Sequence, residues 1–210
     1  MFDGEWKDDI KVEGTLFYRN GDKYEGPLLK GKDEPHGKGV YTFARGDVYT
    51  GDLENGWFHG LGTYALPDGT KLYTGQWEKA IKHGIGEFRL PNGSIYKGSF
   101  KANKFNGLGL QRLPDNALYQ GNFENNQRVG LHHISYGGAT GDTAEAEYQD
   151  DCAEGFFALH EGDTGTIWAT LSKNQEHGLK ISKNNDIVLK EAGKLRKIFS
   201  EQEAKLIREG

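Results

Sequence analysis

Apolar and polar residues alternate along most of this chain with a period of two, and the alternating runs return at a nearly constant interval. Tyr24, Gly26 and Leu28 share one parity while Glu25 takes the other, and Gly39, Tyr41 and Phe43 repeat the pattern after a loop. Such alternation predicts half-buried antiparallel strands. Each run is anchored by a Tyr-x-Gly: Tyr24-Glu25-Gly26, Tyr49-Thr50-Gly51, Tyr73-Thr74-Gly75, Tyr96-Lys97-Gly98 and Tyr119-Gln120-Gly121, with Phe2-Asp3-Gly4 as a variant. Successive tyrosines are 25, 24, 23 and 23 residues apart. A period in this range predicts a stacked array of small units rather than one globular core.

Three further marks recur in phase. A bulky apolar residue stands two positions after the first glycine: Trp6, Leu28, Leu53, Trp77, Phe100 and Phe123. A Gly-x-Gly follows, at Gly37-Lys38-Gly39, Gly60-Leu61-Gly62, Gly84-Ile85-Gly86 and Gly107-Leu108-Gly109. Last comes a two-residue turn signal, Asn20-Gly21, Arg45-Gly46, Asp68-Gly69, Asn92-Gly93 or Asp115-Asn116; Asn-Gly and Asp-Gly favour tight hairpins. Glycine inside a strand lets a side chain approach the backbone closely, so the aromatics of one hairpin are expected over the glycines of the next. The predicted fold class is mainly β: an elongated, twisted, antiparallel sheet of stacked β-hairpins, followed by a small mixed α/β segment.

The combined pattern resembles the MORN repeat (membrane occupation and recognition nexus). The unit from Tyr73 to Ile95 carries the resemblance most fully, through Tyr73, Gly75, Trp77, His83, Gly84, Gly86, Phe88, Asn92 and Gly93. The unit from Tyr24 has two extra residues around Lys32 to Pro35. The first unit is degenerate, with Glu13-Gly14 in place of Gly-x-Gly, and so is the last, with Gly130-Leu131-His132. The expected organisation is a six-unit array over residues 1–138 and, over 139–210, an acidic linker, a capping hairpin and a C-terminal helix.

Composition narrows the function. Hydrophobic residues make up 35% of the chain and glycine numbers 31, which suits a thin sheet with little deep core, packed by its 12% aromatics. A formal charge of −5 does not favour a nucleic-acid binder. No stretch is apolar and long enough for a transmembrane helix, and the N-terminus shows neither a signal nor a transit segment. The single cysteine, Cys152, excludes an internal disulfide and suits a reducing compartment.

After Gly137-Gly138 the periodicity stops. Residues 142–163 hold eight acids and no Lys or Arg, and read as a solvated linker face. Phe156 to His160 and Thr166 to Ser172 predict a hairpin around Glu161-Gly162-Asp163-Thr164-Gly165, placed to cap the sheet edge. Ser200-Glu201-Gln202-Glu203 is a capping box that predicts a helix over Ser200–Glu209, and a second helical stretch is expected from Asp186 to Ile198.

Chemical motifs reduce to structural ones. Asp163-Thr164-Gly165 is a polar hairpin tip rather than a protease aspartate. His36, His59 and His83 recur one repeat apart, about 10 Å by strand spacing, too far to share a metal. His132 and His133 are strand neighbours that face opposite ways, and Cys152 sits among acids that oppose its thiolate. No catalytic residue, cofactor site or metal site is expected, and no enzyme activity. The candidate site is an aromatic face of Tyr24, Tyr49, Tyr73, Trp77, Tyr96, Phe100, Tyr119 and Phe123, a seat for an amphipathic helix.

The resemblance to MORN proteins without a catalytic domain implies a scaffold or adaptor subunit of a larger ciliary, cytoskeletal or other assembly. It implies a cytoplasmic, cytoskeleton- or cilium-associated protein with protein partners, in a large complex or as a homo-dimer, and no nucleic acid. The alternative is a phospholipid-binding membrane tether, held peripherally since no transmembrane segment is present. A uniformly mixed charge pattern and the acidic block weaken that alternative.

Overall fold

The computed structural model describes residues 1–136, 143–161, 165–171, 179–181, 187–191 and 194–199, with side chains described for 1–136 and 143–153. The chain divides into two compact units. One comprises Met1–Pro114 with Phe123–Asn126, the other Asp115–Asn122 with Gln127–Gly210.

The first unit is a sheet in which every strand pairs antiparallel with its sequence neighbour. Its strands are β1 (Phe2–Lys7), β2 (Ile10–Phe17), β3 (Lys23–Pro27), β4 (Gly37–Thr42), β5 (Val48–Glu54), β6 (Trp57–Ala65), β7 (Lys71–Glu78), β8 (Ile81–Arg89), β9 (Ile95–Lys101) and β10 (Lys104–Arg112). Strand β11 (Leu118–Glu124) follows. In the second unit β12 (Gln127–Ser135), β13 (Thr143–Gln149), β14 (Cys152–Glu161) and β15 (Gly165–Leu171) pair in the same antiparallel order. A separate sheet joins β16 (Leu179–Ile181), β17 (Ile187–Glu191) and β18 (Lys194–Phe199).

Two kinds of turn alternate, and the expectation from Asn-Gly signals had them reversed. The tight two-residue turns join β1 to β2, β5 to β6, β7 to β8, β9 to β10, β11 to β12 and β13 to β14. Both central residues of each have positive φ: Asp8 and Asp9 (51° and 61°), Asn55 and Gly56 (50° and 80°), Lys79 and Ala80 (49° and 62°), Ala102 and Asn103 (50° and 68°), Asn125 and Asn126 (52° and 74°), Asp150 and Asp151 (53° and 65°). This is the mirror-image turn that matches strand twist. The Asn20-Gly21, Arg45-Gly46, Asp68-Gly69 and Asn92-Gly93 signals instead close three-residue loops. In the first of these the Gly21 N–H donates to the Tyr18 carbonyl (3.2 Å), and the Tyr18 N–H to the Asp22 carbonyl (2.9 Å). Only the glycine there is left-handed, as in a type I turn followed by a glycine bulge.

Each tight turn after the first is fastened to the repeat unit before it. The Asn103 N–H donates to the Lys82 carbonyl (3.1 Å), and the Asn103 side-chain oxygen accepts the Lys82 N–H (2.9 Å). Asn126 does the same for Phe105, at 3.1 and 2.8 Å, and Asp151 for Arg128, at 3.2 and 2.9 Å. At Ala80 only the backbone half survives: its N–H reaches the Phe58 carbonyl at 2.8 Å.

In the C-terminal part the structure departs from the sequence reading at two places. The acidic stretch 143–149 is not a linker but strand β13, burying Ala144, Ala146 and Tyr148 against Ile134 while its acids alternate outward. Its apolar members are mostly alanines, so the period-two signal is faint. The helix expected from Asp186 to Ile198 is replaced by the β17–β18 hairpin, in register from Glu191↔Lys194 to Ile187↔Phe199. β-Branched Ile187 and Val188 favour strand. The hairpin predicted around residue 163 is present as β14 and β15; its tip at 162–164, with Asp163 and Thr164, and the helix expected over Ser200–Glu209 lie outside the described residues.

Replacing Ala80 by Asn should supply the missing side-chain acceptor at that turn and put a residue that tolerates positive φ there. We expect Ala80→Asn to stabilise the protein by about 1 kcal/mol, read as a raised thermal midpoint; a lowered midpoint would refute the fastening role of these turns.

Candidate functional site: an aromatic sheet face

The tyrosines of the Tyr-x-Gly motif lie flat across their own hairpin. Tyr73 covers Gly75 in its own strand and Gly86 in the paired strand, where an added Cβ would stand 2.7 and 2.6 Å from its hydroxyl oxygen. Tyr24, Tyr49 and Tyr96 repeat this over their own glycine pairs. Each hydroxyl donates to a carbonyl three residues ahead: Tyr24 to Pro27 (2.8 Å), Tyr49 to Asp52 (2.7 Å), Tyr73 to Gln76 (2.8 Å) and Tyr96 to Ser99 (3.0 Å). Burial pushes the Tyr24, Tyr73 and Tyr96 hydroxyls up to about 12. The first glycine of each Gly-x-Gly serves differently. Gly60 and Gly84 are left-handed, with φ of 58° and 56°, where the register shifts. There the Leu61 and Ile85 N–H groups donate to the side chains of Asp52 (3.0 Å) and Gln76 (2.7 Å).

Contact between units is carried not by tyrosines over the next hairpin's glycines but by the bulky residue two positions beyond the glycine. Trp77 meets Tyr49 and Tyr73 edge-on, with centroids 5.6 and 4.9 Å apart, and its indole N–H donates to the Gly62 carbonyl (3.2 Å). Phe100 bridges Tyr73 and Tyr96 in the same way (5.2 and 5.3 Å), and Phe123 reaches Tyr96 (5.0 Å). Edge-to-face pairs of this kind add to the burial of their area.

Of the eight aromatic residues proposed as a contact face, seven are therefore core: Tyr24, Tyr49, Tyr73, Trp77, Tyr96, Phe100 and Phe123 are at most 9% exposed. Tyr119 is half-buried. The next layer is half-buried and packs on that core: the rings of Tyr18, Tyr41, Phe58, Tyr64 and Phe88, with Leu90, and Phe43 between Tyr41 and Phe58 (4.9 and 6.1 Å).

Carboxylates hold two of these rings. The Tyr41 hydroxyl donates to Asp22 (2.7 Å) and the Tyr64 hydroxyl to Asp47 (2.8 Å). Asp22 also accepts the Ala44 N–H (2.8 Å), and buried Asp47 pairs with Arg45. Burial, followed by the bond to Asp22, raises the Tyr41 hydroxyl well above its usual range. Where the acid becomes Thr70 or Ser94, the tyrosine position becomes Phe88 or Gln111; hydroxyl and acceptor change together.

A second repeat position sits above each tyrosine, just after the tight turn. Phe58 stacks on Tyr49 and Phe105 on Tyr96, both at 3.8 Å and within 9° of parallel. In three other units the equivalent residue is a cation. Lys11 lies over Phe2 (5.2 Å), Lys82 over Phe88 and Tyr73 (4.2 and 5.7 Å), and Arg128 over Tyr119 and Tyr148 (4.6 and 4.7 Å). Sequence reading missed this position because Phe and Lys look unrelated until the hairpins are in register. On the other parity the central residues of Gly-x-Gly stand out to solvent: Leu61, Ile85, Leu108 and Leu131 are 61–69% exposed.

The histidines take separate roles. His59 and His83 face Glu54 and Glu78 at 3.5 Å. His132 is fully buried, with His133 outward. Its ring occupies the space over Gly121 that a tyrosine hydroxyl takes elsewhere, 5.2 Å from the Tyr148 ring. Cys152 is exposed beside the Asp150-Asp151 turn. Among the described residues no helix is long and apolar enough to cross a membrane, which says nothing of strand-built spans.

Burial, ahead of its other interactions, lowers the basicity of His132, with the Gly130 carbonyl and Asp151 opposing and Arg128 assisting. The unfolded chain therefore takes up the proton first. Stability tied to His132 is full above about pH 6.5 and falls as the pH drops through the lowered folded value. We expect His132→Phe to lose less denaturation midpoint than the wild type between neutral and mildly acidic pH; equal losses would refute this.

Comparison with known proteins places the repeat. The family model for the MORN repeat matches residues 2–23, 32–48, 49–71, 73–95, 96–117 and 119–131. A search of curated proteins gave no match. Among solved structures, the chain is similar to the TCP domain of SAS-4 (dCPAP) of Drosophila melanogaster, solved with a proline rich motif of Ana2 (dSTIL), at a TM-score of 0.31 and 10% identity over 90% of each chain. It is also similar to a mutant of the TCP10 domain of Danio rerio CPAP, at 0.26 and 14% identity over 89% of this chain and 98% of that one. At these scores neither bears on what this chain binds.

Proposed function

This chain belongs to the MORN-repeat family, whose repeats bind proteins or membranes and are generally non-catalytic, and from that premise we propose that it is a protein–protein scaffold that receives an amphipathic helix on its aromatic face. The observation that carries this reading is the half-buried layer of Tyr41, Phe43, Phe58, Tyr64, Phe88 and Leu90 over a buried tyrosine core. Large rings on a pre-formed sheet offer contact area at small ordering cost. The sheet's own N–H and C=O groups are spent in its ladder, so a partner docking on this face must satisfy its backbone internally, as a helix does. A subunit of this kind suits a cytoplasmic assembly, such as a cytoskeletal or ciliary one, as a non-enzymatic adaptor.

A second reading has one observation in its favour. Lys7, Lys11 and Lys30 surround the apolar Ile10, Val12 and Leu28 in a cleft of about 510 Å³ that Asp8 also lines, a composition suited to an anionic lipid headgroup.

The full chain, immobilised, should retain a protein complex through detergent washing. Phe43→Asp should weaken that capture about tenfold, equivalent to about 1.4 kcal/mol, whereas Leu61→Asp on the opposite parity should leave it intact. Equal loss with both variants would refute the face. Flotation with phosphatidylserine vesicles, lost on adding salt and on Lys30→Glu, would establish the lipid reading instead.

A further inference from the structure

Three repeat units place a cation over the aromatic ring of their own hairpin, and the three differ in one respect. Lys11 is paired with Asp33 at 2.6 Å and Arg128 with Asp151 at 2.9 Å. Lys82 has no carboxylate of the described residues within ion-pairing distance, although it stands half-buried against the Phe88 and Tyr73 rings. Its nearest acidic neighbour in sequence, Glu78, faces His83 instead. The units on either side carry Phe58 and Phe105 at the same position, both stacked on their tyrosines. Lys82 is thus an ammonium without an ion pair among the described residues, set between two aromatic neighbours in its row.

A cation–π contact offsets part of the ammonium's lost hydration. A charge so placed is poorly satisfied, and burial lowers the Lys82 basicity accordingly. Covering the aromatic face with an apolar helix would remove the remaining water and make the ammonium costlier still, unless the helix brought a counter-charge. We propose that Lys82 is the specificity-determining residue of this face, selecting among amphipathic helices those that present a Glu or Asp within their apolar stripe. This rests on the reading of the aromatic face as a helix seat, and adds to it which helices are accepted. A carboxylate there would complete at Lys82 the ion pair that Asp33 and Asp151 complete at Lys11 and Arg128. A helix with an uncharged stripe would bury the ammonium unpaired, and one with a basic residue would be repelled.

The test is selection of a displayed library of helical peptides on the full chain, run in parallel on Lys82→Met, which keeps the apolar stem, and on Lys82→Glu. Thermal melts confirm that both variants fold. Wild type should enrich peptides with one acidic residue inside an apolar stripe, and Lys82→Met should enrich the stripe without the acid. Lys82→Glu should enrich a basic residue at the same place. For a selected peptide, Glu→Gln should weaken binding about tenfold to wild type and less than twofold to Lys82→Met. Stripes without acidic preference on wild type, or the same preference on Lys82→Met, would overturn the role of Lys82 and leave the helix seat standing. Enrichment of no helical peptide, or of peptides whose binding survives Phe43→Asp, would overturn the seat itself.

Discussion

The structure depends on a tyrosine laid flat on two glycines. The ring needs the space that a Cβ would take on either strand, and its hydroxyl needs the carbonyl three residues ahead. Both conditions must hold together. A buried hydroxyl without an acceptor costs about 1–3 kcal/mol, comparable to what burying the ring contributes. A single sheet has little other means of making a core. By folding its largest side chains down onto its own backbone it buries Tyr24, Tyr49, Tyr73 and Tyr96 to 2% exposure or less.

With the tyrosine fixed inside its hairpin, the remaining repeat positions are free for other tasks. Trp77 and Phe100 tie one tyrosine to the next, and the tight turns fasten each hairpin to the preceding one through Asn103 and Asn126. The residue above the tyrosine can be a phenyl ring or a cation, because both are compatible with a ring face. Positions that vary by compensation, such as the Tyr41–Asp22 and Tyr64–Asp47 pairs against Phe88 and Gln111, adjust the aromatic surface without disturbing the layer beneath.

The degenerate last repeat shows how the same space can be filled differently. His132 replaces the second glycine of Gly-x-Gly and puts its ring over Gly121. Tyr119 packs instead with Arg128 and Tyr148, and Arg128 is held by Asp151. A titratable imidazole thus stands where other units have a phenol that stays neutral.

Period, strand parity and fold class could be read directly from the chain, because Tyr-x-Gly and Gly-x-Gly recur in phase and period-two alternation has one structural meaning. The hairpin signals misled because Asn-Gly suits two turn geometries, and only the pairing register decided which one formed. The true two-residue turns, at Lys79-Ala80 and Ala102-Asn103, have weak local preference and are held by bonds to the neighbouring hairpin. Burial along a strand gives parity but not depth, so the alternation placed Tyr24 and Tyr41 at apolar positions without saying that the first is core and the second half-buried. The solitary charge of Lys82 was invisible for the same reason: whether a lysine has a partner is a matter of distance, and distances between repeats exist only once the chain is folded.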